Sequence, residues 1–101
     1  MTNYERYRAK RLADPEFAKG YEQAKKELDI AYALLEAREN LNISQKELSK
    51  RTGVKQSNIS RFESGRHSPT ISTLQKIADG LGMSLNVEFI QEANTSNLNR
   101  G

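Results

Sequence analysis

The chain has 101 residues, 36% of them apolar, a mean hydropathy of −0.80 and a formal net charge of +3, which suits one small domain with a modest core. No stretch approaches the ~18 uninterrupted apolar residues that a membrane helix needs, and no secretory leader is expected. With no cysteine and a single histidine, His67, a disulfide scaffold, a thiolate or histidine-cluster metal site and a Cys–His dyad are all excluded within one chain; neither an enzyme nor a cofactor-, metal- or small-molecule-dependent protein is expected.

Residues 3–13, NYERYRAKRLA, carry a short helical pattern with Tyr4, Tyr7 and Leu12 toward one side. Asp14-Pro15 punctuates it: Asp14 is a good N-cap, and Pro15 suits the first position of a new helix. From there Phe17, Tyr21, Ala24, Leu28, Ala31 and Leu35 recur at spacings of four and three, which holds them on one helical stripe. An unbroken helix to about Asn40 would be ~39 Å long at 1.5 Å per residue. Gly20, costing ~1 kcal/mol inside a helix, and Asp29, able to cap a fresh start, argue against such continuity. Ile30, Leu34 and Ala37 have the spacing of a first packing helix. The stripe from Phe17 to Leu28 outruns what so small a core needs. It is therefore a candidate interface for a second copy or a foreign partner, beside the plainer role of packing.

Residues 44–66, SQKELSKRTGVKQSNISRFESGR, read as a helix-turn-helix. Ser44 with Glu47 makes a capping box, so a helix starts at Gln45, and Gly53 supplies the turn. The second helix runs from Lys55 or Gln56 to Glu63, burying Ile59 and Phe62, with Gly65 as its stop. Lys55 stands where a capping Ser or Thr is expected. It forfeits the cap and opposes the helix dipole, each worth ~0.5–1 kcal/mol, which points to a ligand at that end. Residues 41–80 hold seven basic side chains against three acidic, a net of +4, whereas residues 1–40 balance eight against eight. The positive field therefore sits on this motif, as a phosphate footprint should.

Thr70 caps a further helix, whose Ile71, Leu74, Ile77, Ala78 and Leu81 close the core before Gly82 ends it. SLNVEFI then alternates Leu85, Val87 and Phe89 against polar residues, the pattern of a single strand. One strand cannot satisfy its own backbone groups, so a two-fold related copy is the economical partner, with Leu85, Val87 and Phe89 as dimerisation candidates. The tail from 91 to 101 is polar and expected to be disordered.

ISQKELSKRTGV, the NISRFESGR run and PTISTLQKIADGLG, in that order, resemble the XRE-type helix-turn-helix family of phage and bacterial repressors. ADPEFAKGYE before them and LNVEFI after them look like HigA-type antitoxins of bacterial toxin–antitoxin pairs. The resemblance implies an all-α, five-helix lambda-repressor-like domain over 29–82. An N-terminal helical extension over 1–28 and a short C-terminal dimerisation strand over 83–90 flank it. It further implies a bacterial cytoplasmic homodimer that binds double-stranded operator DNA, represses its own operon and neutralises a RelE/HigB-like mRNA-cleaving toxin. Toxin-binding candidates are then Tyr4, Tyr7, Leu12, Phe17, Tyr21 and Leu28. The alternative is a stand-alone XRE-family repressor with no toxin partner.

Within the motif, roles follow from side-chain chemistry. Gln56 and Arg61 can pair bidentately with adenine and guanine, and Ser57 lies beside them. Asn58, Ser60 and Arg66 suit phosphates, which orient the protein without reading sequence, and Lys55 is a DNA-contact candidate at the leading edge. Gln45 can donate to a phosphate from the helix start, and by resemblance also buttresses the start of the second helix. Glu63 is out of place in a basic element and is expected in a structural ion pair, with Arg38 a candidate partner.

Overall fold

The computed structural model describes residues 2–16 and 20–91, with residues 21–26 through their helical backbone alone. Phe17, the Tyr21 side chain and the tail over 92–101 lie outside the described residues. Five helices follow one another there: α1 (Asn3–Leu12), α2 (Tyr21–Asn40), α3 (Gln45–Thr52), α4 (Gln56–Glu63) and α5 (Ile71–Leu81). The all-α expectation holds, although the count includes the N-terminal extension. The domain proper uses the later part of α2 and three short helices.

Local chemistry sets each boundary. Thr2 and Glu5 close a reciprocal capping box at the start of α1. Gly20, the N-cap of α2, has no side-chain cap, and Asp29 lies within that helix, so the chain restarts at Gly20. Ser44 Oγ accepts from the Glu47 amide at 3.0 Å, one half of the expected box, while the Glu47 carboxylate takes Arg51 Nε at 3.1 Å. Thr70 Oγ1 accepts from the Thr73 amide at 3.0 Å. α3 and α5 both end on a left-handed glycine, Gly53 at φ 78° and Gly82 at φ 69°, a conformation open to glycine at little cost.

Leu34, Ile43, Leu48, Ile59, Ile77 and Leu81 form the buried core, with Ala37, Val54 and Phe62 packed against it. Three positions depart from the register read off the sequence. Leu28, the end of the surplus stripe, is 0% exposed, so the core extends further up α2 than its size suggested. Ile30, assigned inward, is 41% exposed, and Ile71 is 59% exposed. A helix with apolar residues at 28, 30, 31 and 34 can bury only one arc of them, and α2 rotates toward Leu28 and Leu34.

The short C-terminal β-strand is absent among the described residues: residues 83–90 form no ladder. A strand exists only through its neighbour's N–H and C=O groups, and this single chain offers none there. Val87, Phe89 and Ile90 are left 61%, 104% and 76% exposed.

α3 and α5 cross at Gly80, where an added Cβ would meet Thr52 Cγ2 at 2.5 Å. Thr52 has little room to yield, since its hydroxyl donates to the Leu48 carbonyl at 2.8 Å and accepts from the Val54 amide at 3.1 Å. Gly80→Ala, which improves helix propensity by ~1 kcal/mol, should therefore still lower stability, by about 1–3 kcal/mol through overpacking. Denaturant unfolding with an unchanged m-value checks this, and a stabilised variant would contradict the close crossing.

Candidate nucleic-acid interface

The turn between α3 and α4 is held by three hydrogen bonds. Gly53 N–H donates to Ser49 C=O at 2.8 Å, Ser49 Oγ to Val54 C=O at 2.6 Å, and Val54 N–H to Thr52 Oγ1. These fix the angle at which α4 leaves α3. α4 then splits cleanly into two faces. Ile59 and Glu63 are buried and Phe62 packs on the core, while Gln56, Ser57, Ser60 and Arg61 are exposed together. Residues at i, i+1, i+4 and i+5 share one side of a helix, so the two base-reading candidates and two short hydroxyl side chains form a single outward surface. Lys55 is the N-cap, exposed and without a side-chain cap hydrogen bond. Asn58 is half-buried at the edge of this surface, and its Oδ1 accepts from Arg61 Nη1 at 3.3 Å.

The opposite end of α4 is clamped. Arg38 on α2 meets Glu63 through both carboxylate oxygens, Nε to Oε2 at 2.6 Å and Nη2 to Oε1 at 2.8 Å, and its Nη1 donates to Ile43 C=O at 2.7 Å. Both residues are buried, and the pairing raises the Arg38 guanidinium above its ordinary value, chiefly through the hydrogen bond to Glu63. Gln45 Nε2 on α3 adds a donor to Glu63 Oε1 at 3.0 Å. Gln45 thus does buttress α4, but at its last residue and not at its start. One of its two amide hydrogens is already committed. The expected Arg38–Glu63 pair is present, and it explains the lone acid in a basic helix.

Two contacts of the N-terminal segment had no signal in the sequence. Tyr7 Oη donates to the Glu63 carbonyl, and burial pushes its phenol up to about 12, so it remains a donor. Arg66, expected at a phosphate, lies 3.7 Å from the Asp14 carboxylate. Both link residues more than fifty positions apart, beyond any local pattern. The other N-terminal candidates are placed as follows. Tyr4 and Tyr7 pack on the Tyr32 ring at centroid distances of 5.3 and 5.4 Å, Leu12 is half-buried, and Leu28 is enclosed in the body of the domain. Among the described residues there is no group of three His, Asp or Glu side chains that could hold a metal ion, and no helix long and apolar enough to cross a membrane.

A family model described as Helix-turn-helix matches residues 34–87, more than half of the chain and all of the motif just built. The chain belongs to the XRE-type helix-turn-helix family. It is 38% identical over 73 residues to the protein named Antitoxin HigA1 in two strains of Mycobacterium tuberculosis, covering 72% of this chain and 49% of that protein. It is 43% identical over 54 residues to an uncharacterised HTH-type transcriptional regulator of Haemophilus influenzae, covering 54% of this chain and 55% of the other. This helix-turn-helix protein spans about half the length of the curated relatives it matches. No solved structure matches it significantly.

Proposed function

We propose that the chain is the antitoxin of a bacterial type II toxin–antitoxin pair, a cytoplasmic protein that represses its own operon through α3 and α4 and neutralises a RelE/HigB-like ribonuclease toxin. One observation carries the antitoxin half. The similarity to Antitoxin HigA1 runs over 73 residues, whereas the helix-turn-helix match spans only 34–87, so at least part of it lies in the flanks where no DNA contact is expected. The DNA half rests on the outward surface of Gln56, Ser57, Ser60 and Arg61.

As a repressor the chain acts on the operator as a dimer. The exposed apolar residues Val87, Phe89 and Ile90, with half-buried Leu85, supply the pairing surface, and a second copy of the same segment supplies the missing strand. Two α4 helices so arranged must stand ~34–36 Å apart to enter successive major grooves.

Co-expression with the product of the reading frame adjacent to this gene tests the antitoxin reading. The expected result is a stable complex that blocks mRNA cleavage. Deleting residues 2–16 should weaken it at least tenfold while DNA binding persists. That deletion spares Leu28, whose loss would open the core. Failure of the neighbouring protein to co-purify would overturn the proposal.

A second reading, a stand-alone XRE-family repressor, is favoured by the similarity to the Haemophilus regulator and by the docking of α1 on its own domain through Tyr4, Tyr7 and Tyr32. It predicts operator binding with no toxin partner.

A further inference from the structure

The N-terminal segment is seated across the domain and reaches the clamped, C-terminal end of α4. Three contacts hold it. The Tyr4 and Tyr7 rings lie against Tyr32, Tyr4 Oη donates to Asp29 on α2, and Tyr7 Oη donates to the carbonyl of Glu63, the last residue of α4. Beyond α1, the chain turns at Asp14, whose Oδ1 accepts from the Glu16 amide at 3.0 Å. Its other carboxylate oxygen is thereby aimed at Arg66, 3.7 Å away.

Arg66 sits directly past the recognition helix, its amide bonded to the Arg61 carbonyl at 3.0 Å, and its side chain is 62% exposed. A guanidinium placed there is available to a phosphate of bound DNA. A carboxylate at ion-pair distance is the same kind of ligand that the phosphate would be, supplied by the protein itself.

We propose that Asp14 is an intramolecular competitor of DNA phosphate for Arg66, so that the N-terminal segment restrains DNA binding until it is displaced. A protein partner that captured the Tyr4 and Tyr7 face would pull Asp14 away with it and release Arg66. The inference rests on the DNA-binding reading of α4, and it adds an autoinhibitory contact to it.

Asp14→Asn is the decisive variant, because asparagine keeps the oxygen that caps Glu16 and loses only the charge. Binding of the full chain to a duplex of the sequence upstream of its gene, and to a scrambled duplex of equal length, is measured at two salt concentrations. An exposed pair contributes little, so Asp14→Asn should bind both duplexes about two- to fivefold more tightly than the wild type, more so at low salt. In an Arg66→Ala background the same substitution should give no gain. Glu5→Gln, which removes a charge from α1 while leaving its capping box and Arg66 alone, should also give none. Unchanged binding by Asp14→Asn, an equal gain without Arg66, or an equal gain from Glu5→Gln would each overturn the proposal. Wild-type protein that binds neither duplex would overturn the DNA-binding reading itself, a result distinct from all three.

Discussion

Arg38→Ala should destabilise the chain by about 3–5 kcal/mol, because it strands the Glu63 carboxylate in a buried site. Glu63 is 5% exposed, and among the described residues the one side-chain donor left to its carboxylate without Arg38 is Gln45. The Ile43 carbonyl loses its guanidinium donor in the same substitution. Against a total stability of ~5–15 kcal/mol for a small domain, such a loss moves the unfolding midpoint far enough to see in any denaturant titration. The companion Glu63→Ala should cost a similar amount, since it removes both short carboxylate contacts of the guanidinium and leaves it the Ile43 carbonyl and the Glu39 carboxylate 4.0 Å away. Arg38→Met combined with Glu63→Leu fills the space without charge and should recover most of the loss. It should remain about 1–3 kcal/mol short, the cost of an unbonded Ile43 carbonyl. If Arg38→Ala and Glu63→Ala proved additive when combined, the pair would not be acting as a unit.

Arg61→Ala and Gln56→Ala should each weaken binding to the cognate operator by roughly 5- to 150-fold, the equivalent of ~1–3 kcal/mol for a bidentate base contact. Both side chains are exposed, and Arg61 makes only a surface hydrogen bond to Asn58, so unfolding stability should shift by less than about 0.5 kcal/mol. The effect should be confined to specific DNA: the affinity for scrambled duplex changes little, and the ratio of the two collapses. Lys55→Ala, by contrast, should weaken both duplexes alike and flatten the salt dependence by about one unit, as expected of a phosphate contact. Specific binding that survives both Gln56→Ala and Arg61→Ala would place the base-reading surface elsewhere than α4.

Local chemistry made most of the domain legible. Ser44, Thr70, Gly53 and Gly82 act within one turn of their own position, and each is found at the boundary it marks. The Arg38–Glu63 pair was also readable, because a single acid in a basic helix requires a partner. Register along α2 was less so: Leu28, Ile30, Ala31 and Leu34 are all apolar, and periodicity alone does not decide which arc faces inward. The segment over 84–90 carries the alternation of a strand, yet no strand forms there among the described residues, because alternation alone supplies no neighbour to pair with. The contacts of Tyr7 and Asp14 with the end of α4 depend on how α1 folds back, which leaves no trace in spacing.

The two ends of α4 are held very differently, and this grades its stiffness along its length. Its last residue is gripped from α1, α2 and α3 at once, through Tyr7, Arg38 and Gln45. Its first turn begins at an uncapped lysine and rests on backbone bonds to the Lys55 carbonyl. Opening motions should therefore start at the reading end and fade toward the clamp, like a reed fixed at its base. The amides of Asn58 and Ile59 should exchange with solvent well before those of Phe62 and Glu63. Side chains that must fit base edges are thus carried on the part of the helix with freedom to adjust, while the direction in which it points is set at the other end.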